Sequence, residues 1–174
     1  MTIYVALLRA VNVGGTGKLR MADLVAMCRD AGFARVETYI ASGNVVLESD
    51  RSATDVKLEL ETRLQDHFGK PAPVFVRTDS EMATILEANP FPAAPRNQIV
   101  AIFLDQPPPA DALDHVKGVK DERMLVGARE IYVHYPSGMG RSKLKIAAAA
   151  AGTARSLNTV AKLVEMASKM SDTP

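Results

Sequence analysis

The sequence predicts an α+β protein built as tandem duplicated ferredoxin-like halves, each of β-α-β-β-α-β type, with an additional C-terminal helix. Three observations carry this. Short apolar strand patterns alternate with helical ones in the order β-α-β-β-α-β over residues 1–78. A proline-rich run, "NPFPAAPRN", follows a short helix and marks a break. After it the order restarts as β-α-β-β-α. The expected organisation is a first half over 1–78, a helix and proline-rich connection over 79–97, and a second half with the terminal helix over 98–174.

In the first half, Ile3–Leu8 is a strand whose six residues are all apolar or aromatic. Met21–Ala31 is helical, with Leu24, Val25, Met27, Cys28 and Ala31 on one side. Gly32 stops it, and Phe33 is placed to fold back on the last turn. "RVETYIASGNVVLES" reads as two strands about a tight turn at Ser42, Gly43 and Asn44. Ala53–Phe68 repeats Val56, Leu60, Leu64 and Phe68 every four residues and ends at Gly69, and "PVFVRT" is the fourth strand. Leu24, Cys28, Leu60, Leu64 and Phe68 are the expected core.

Asp79–Ala88 is a short helix that Pro90 terminates. "QIVAIFL" then reads as a strand and "PPPADALDHV" as a helix with proline at its start. "RMLVG" and "EIYVHY" pair about Ala128–Arg129, and "SKLKIAAAAA" is a helix begun by Ser142. Leu157–Met170 closes the chain as a helix in place of a sixth strand.

The bulk properties narrow the function. With 174 residues, 47% hydrophobic, the chain can bury a sizeable core. Its net charge of +1 argues against a uniformly basic coat. The charge is uneven, however. Residues 1–20 carry Arg9, Lys18 and Arg20 with no acid, and residues 141–174 carry six bases against two acids. One cysteine, Cys28, makes neither an intramolecular disulfide nor a zinc site, and fits a reducing cytoplasm. No signal peptide and no run of ~20 apolar residues points to a membrane. The expected location is cytoplasmic.

The chemistry-bearing stretch nearest the start is "RAVNVGGTGKLR". It is not a P-loop, because Asn12 stands at the first glycine position and Leu19 follows Lys18. Nor is it a dinucleotide fingerprint, since Arg20 stands at the third glycine position counted from Gly15. What remains is a strand end, glycine amides and a helix start, an arrangement that binds phosphate or carboxylate. A plain flexible turn is the rival reading.

Two further stretches resemble it. In "GRSKLK", Lys143 and Lys145 fall in the first turn of the expected helix, where the macrodipole disfavours cations. A solvated basic helix end is the alternative. In "GTARSLNTVAKL", Ser156 is placed to cap the last helix, with Asn158 and Thr159 in its first turn and Arg155 just outside. His67, His115 and His134 have no metal-ligand spacing, and Ser137 lacks the preceding glycine of a nucleophile elbow. "IYVALL" and "NVVLES" lack the ladder of aromatics with which an RNA-recognition sheet stacks bases.

Taken together, "YVALLRAVNVGG", "YIASGNVVLES", "NPF", "IYVHYPSGMGRSKL" and "TARSLNTVAKL" resemble, in order, the signature segments of an uncharacterised bacterial family catalogued as domain of unknown function 1697. The resemblance runs from Tyr4 to about Met166. It implies a compact cytoplasmic α+β protein of duplicated ferredoxin-like design, and no activity. The chain departs from the family pattern at Ser156 and Leu157, where the family usually has Asn and Trp, and at Ala10, where Gly is common. A tryptophan that stacks on a ligand would be lost here. One that only packs would be replaced modestly.

The expectation is therefore a protein that binds a phosphate-bearing ligand, such as a nucleotide, a nucleic-acid segment or a phosphorylated metabolite, at a basic cleft between the halves. Arg9, Asn12, Gly14, Gly15, Ser42, Gly43, Asn44, Tyr135, Arg141, Ser142, Lys143, Arg155, Asn158 and Thr159 are the candidate ligand-binding residues. No cofactor and no metal is expected, and the oligomeric state is open. The rivals are an enzyme acting on such a ligand, with Arg9, Lys143 and Arg155 stabilising transition-state charge, and an interaction module whose basic segments face water.

Overall fold

The structure, a computed structural model, describes residues 1–13 and 17–174. The chain divides into two compact units, residues 1–83 with 162–174, and residues 84–161. The first holds a four-stranded antiparallel sheet of β1 (Thr2–Leu8), β2 (Ala34–Tyr39), β3 (Asn44–Ser49) and β4 (Val74–Thr78), in the order β2-β3-β1-β4. Helices α1 (Met21–Asp30) and α2 (Ala53–Phe68) connect these strands. Tyr4, Ala6 and Leu8, alternate residues of β1, join Leu24 and Cys28 of α1 and Val56, Leu60 and Leu64 of α2 in one core. Both helices therefore cover the same sheet face. Phe68 is half-buried at the margin of this core.

Local signals set these elements. Ser52 Oγ accepts from Asp55 N at 3.1 Å, which caps α2, and Gly69 ends it in the left-handed conformation at φ +71°. Gly32, at φ +90°, ends α1, and the Phe33 amide donates back to Cys28 O at 3.1 Å. Helix α3 (Asp79–Glu87) starts with a reciprocal capping box: Thr78 Oγ1 accepts from Glu81 N, and Glu81 Oε1 accepts from Thr78 N.

The second unit repeats the sheet but not its helices. Strands β5 (Ile99–Phe103), β6 (Arg123–Val126), β7 (Glu130–His134) and β8 (Thr153–Ser156) lie in the order β6-β7-β5-β8, again antiparallel. A further strand, β8, thus exists in this half, ahead of the terminal helix α4 (Leu157–Asp172). Neither expected connecting helix forms. Residues 110–115 make tight turns through bonds such as Asp114 N to Asp111 O. A segment this short, with only Ala112 buried, cannot offset the cost of helix nucleation.

The alanine-rich segment also differs from the expected helix. The Lys117 and Lys145 backbones exchange both hydrogen bonds, at 3.0 and 2.8 Å, which holds the chain extended there. Helical structure is reduced to short 3-10 turns at Met139–Arg141 and Ala147–Ala149. Leu144, Ile146, Ala148 and Ala149 pack directly on the sheet with Leu113 and Val116, where the first unit uses helices. In α4, Leu157, Val160, Leu163, Ala167 and Met170 form the buried stripe. No helix among the described residues is long and apolar enough to cross a membrane.

Candidate functional site

Strand β1 leaves its sheet under close control. The Leu8 amide donates to Gly43 O at 2.8 Å, and the Arg9 amide to Pro73 O at 3.0 Å. The backbone then takes left-handed conformations at Ala10 and Asn12, both at φ +56°. Asn12 organises the loop between β1 and α1. Its amide donates to Gly17 O at 3.0 Å, its Nδ2 donates to Leu19 O and Ala41 O at 2.7 Å each, and its Oδ1 accepts from Leu19 N at 2.7 Å. One side chain thus closes this loop and fastens it to the β2–β3 turn.

That turn is itself strained. Ile40 has φ +50°, an unusual value for a β-branched residue, and is half exposed. Gly43 lies at φ +89°, and a Cβ there would stand 2.8 Å from the Leu8 Cβ. Asn44, wholly buried, donates from Nδ2 to Tyr39 O at 2.9 Å and Ser42 Oγ at 3.1 Å. Arg9, Asn12, Ser42, Gly43 and Asn44 are therefore gathered at one end of the first sheet. Gly14 and Gly15 lie outside the described residues. Of the loop's other cations, Arg20 is paired with Asp23 through two contacts of 3.0 and 3.1 Å, and Lys18 is exposed.

In the second unit, Arg141, Ser142 and Lys143 do not begin a helix. Ser142 instead donates from Oγ to Glu122 Oε1 at 2.7 Å and accepts from Leu144 N at 3.1 Å. Glu122 is buried and also accepts from Lys120 N at 2.7 Å. These bonds hold its carboxyl below the usual carboxylate range. Burial, with the charge of Glu122, pushes the Tyr135 hydroxyl up. Arg141 and Lys143 are exposed.

Arg155 lies within β8, not in a loop. It is buried, and its Nη1 donates to Thr153 Oγ1 at 2.8 Å and Ala154 O at 3.0 Å. Burial lowers its pKa to about 10, which leaves it charged at neutral pH. Ser156 caps α4 as expected, its Oγ accepting from Thr159 N at 3.3 Å, and Asn158 is exposed. Leu157, at the position of the family's tryptophan, is wholly buried and belongs to packing.

Sequence reasoning missed the counterpart of Arg155. Arg77, on β4, is also buried and donates from Nη1 to the preceding carbonyl, Val76 O, at 3.1 Å. It faces Val5 in register, as Arg155 faces Ala101, each on the fourth strand beside the first strand of its sheet. The signal was present in "VRT" and "ARS": an arginine, then a hydroxyl residue that caps the next helix. Among the described residues no group of three His, Cys, Asp or Glu could hold a metal ion.

A family model described as a protein of unknown function, DUF1697, matches residues 1–132. The structure of conserved bacterial protein SP0830 from Streptococcus pneumoniae is similar, with a TM-score of 0.79 and 25% identity over 95% of this chain and 98% of that one. No curated protein matches this sequence.

Proposed function

We infer that this chain, which belongs to the family of unknown function DUF1697, binds a phosphate-bearing ligand at the loop between β1 and α1. The ligand is a nucleotide, a nucleic-acid segment or a phosphorylated metabolite. The observation that carries the reading is the Asn12 clamp. Four hydrogen bonds from one residue hold a loop whose neighbours Ala10 and Ile40 are kept at left-handed φ. Each such residue costs about 1–3 kcal/mol and persists where the surroundings over-determine it, which is characteristic of ligand clamps. Between residues 9 and 20 the sequence has Arg9, Lys18 and Arg20 and no acid. Arg9 supplies the charge, and Asn12 supplies the shape.

The matching strand orders and the paired Arg77 and Arg155 registers support reading the fold as a ferredoxin-like duplication. On that reading the helices of the second half were replaced by packed turns.

The test is a thermal-shift screen of nucleotides, sugar phosphates and short oligonucleotides. A ligand at 100 times its Kd adds about 2.7 kcal/mol of stability. Arg9→Ala weakens the hit, and added salt weakens it further. A screen with no anionic hit, or a hit indifferent to Arg9→Ala, defeats the reading.

A further inference from the structure

We propose that the second unit carries a binding face for the phosphate backbone of a nucleic acid, formed by Lys117, Lys120, Arg123, Arg141, Lys143 and Lys145. The inference goes beyond the reading above. It concerns residues 84–161 alone and does not depend on the Arg9 loop.

Two irregular segments, 117–123 and 137–145, are laced together at four places. Lys117 and Lys145 exchange backbone bonds. Gly118, at φ +73°, lies so close to the Lys143 carbonyl that a Cβ would stand 2.1 Å from its oxygen. Ser142 donates to Glu122, and Ser137 donates to Asp121. The two acids of these segments are thereby occupied by serine hydroxyls. All six cations are exposed, and no ion pair engages any of them among the described residues.

The Lys117–Lys145 juxtaposition is the telling feature. Residues directly opposite in an antiparallel pair have Cβ atoms ~5 Å apart, and like charges there are destabilising. The fold carries this repulsion with no acid between them. A partner bearing negative charge relieves it. The partner carries several anions, because the six side chains are spread over two segments and one small phosphate has three free oxygens to meet them. A polynucleotide backbone offers anions at repeated spacing. No Phe, Trp or Tyr stands in either segment, so the face reads phosphates and does not stack bases. The same lack of aromatics sets it apart from a membrane-surface anchor, despite the half-exposed Val119 and Met139.

The experiment measures anisotropy of a labelled 30-base-pair duplex of arbitrary sequence against the full chain, from 50 to 200 mM salt. Phosphatidylserine vesicles serve as the competing probe. Each neutralised phosphate contributes a slope of about −0.9 in log Kobs against log salt. Binding is expected with a slope of roughly −4 or steeper. Lys117→Gln/Lys120→Gln/Lys145→Gln reduces its steepness by about 2.7. This variant melts no lower than the parent, because a repulsion has been removed. Lys70→Gln leaves the slope unchanged.

A duplex that does not bind at 50 mM salt overturns the proposal. So does a triple variant that binds like the parent, or binding to the vesicles alone. Arg9→Ala separates the two readings: it abolishes the response to a small phosphate ligand and leaves the duplex slope intact.

Discussion

Ala10 occupies a conformation that suits another residue. At φ +56° its Cβ crowds the following carbonyl, at a cost of about 1–2 kcal/mol. Glycine removes that strain but loses about 0.5–1 kcal/mol of chain entropy. Ala10→Gly therefore stabilises the protein by about 0.5 kcal/mol, read as a higher urea midpoint, and a lower midpoint contradicts the strain. The resemblance already pointed here, since the family commonly has Gly at this position. Gly118 is the opposite case. Gly118→Ala adds a Cβ at 2.1 Å from a backbone oxygen in a left-handed conformation, and is expected to cost about 2–4 kcal/mol. Asn12→Ala removes three side-chain bonds that close the β1–α1 loop. It is expected to cost about 1–3 kcal/mol, and to abolish the thermal shift given by a phosphate ligand.

Helices α1 and α2 carry the most legible part of the fold, because their apolar spacing and their caps agree with the packing. Leu60 is wholly buried at the centre of α2, so Leu60→Ala costs about 2–5 kcal/mol in chemical denaturation. Cys28 is buried on α1, and desolvation pushes its thiol up to about 12. Iodoacetamide at pH 8 is expected to leave it unmodified in the native protein and to label it in denaturant. Rapid labelling of the native state means that α1 opens from the core. Sequence reasoning misplaced both connecting helices of the second half, and the alanine run shows why. Five alanines favour a helix intrinsically, but the Lys117–Lys145 pairing holds the chain extended immediately before them.

For the molecule as a whole, acid stability reports how the second unit is held together. The Glu122 carboxyl lies below its ordinary value of 4.5 because the Lys120 amide and the Ser142 hydroxyl donate to it. The unfolded chain binds its proton more readily than the folded one. The stabilisation is thus complete above about pH 4.5 and is lost as the pH falls through the lower folded value. Glu122→Gln therefore flattens the fall in melting temperature below pH 4.5, and an unchanged acid limb assigns the sensitivity to other carboxylates. Ser142→Ala weakens the same limb from the donor's side.

Much of this protein was legible before any tertiary contact was known. Strands such as "IYVALL" are apolar or aromatic throughout, the β2–β3 turn has its glycine, and Ser156 caps its helix through its own side chain. These signals act over a few residues, so composition and spacing reveal them. The resemblance located the family by five ordered motifs. Only the tertiary structure decided the rest. Arg155 and Arg77 sit buried in strands, because strand pairing places a residue by its partner and not by its own preference. Ile40 adopts a positive φ that its side chain disfavours, and Asn12 bonds to Ala41 across 29 residues. Lys145 stands opposite Lys117 although both carry the same charge. For the two arginines and the two lysines a long-range backbone pairing outweighs a local preference worth a few kcal/mol at most, and no local pattern in the sequence records which pairing that is.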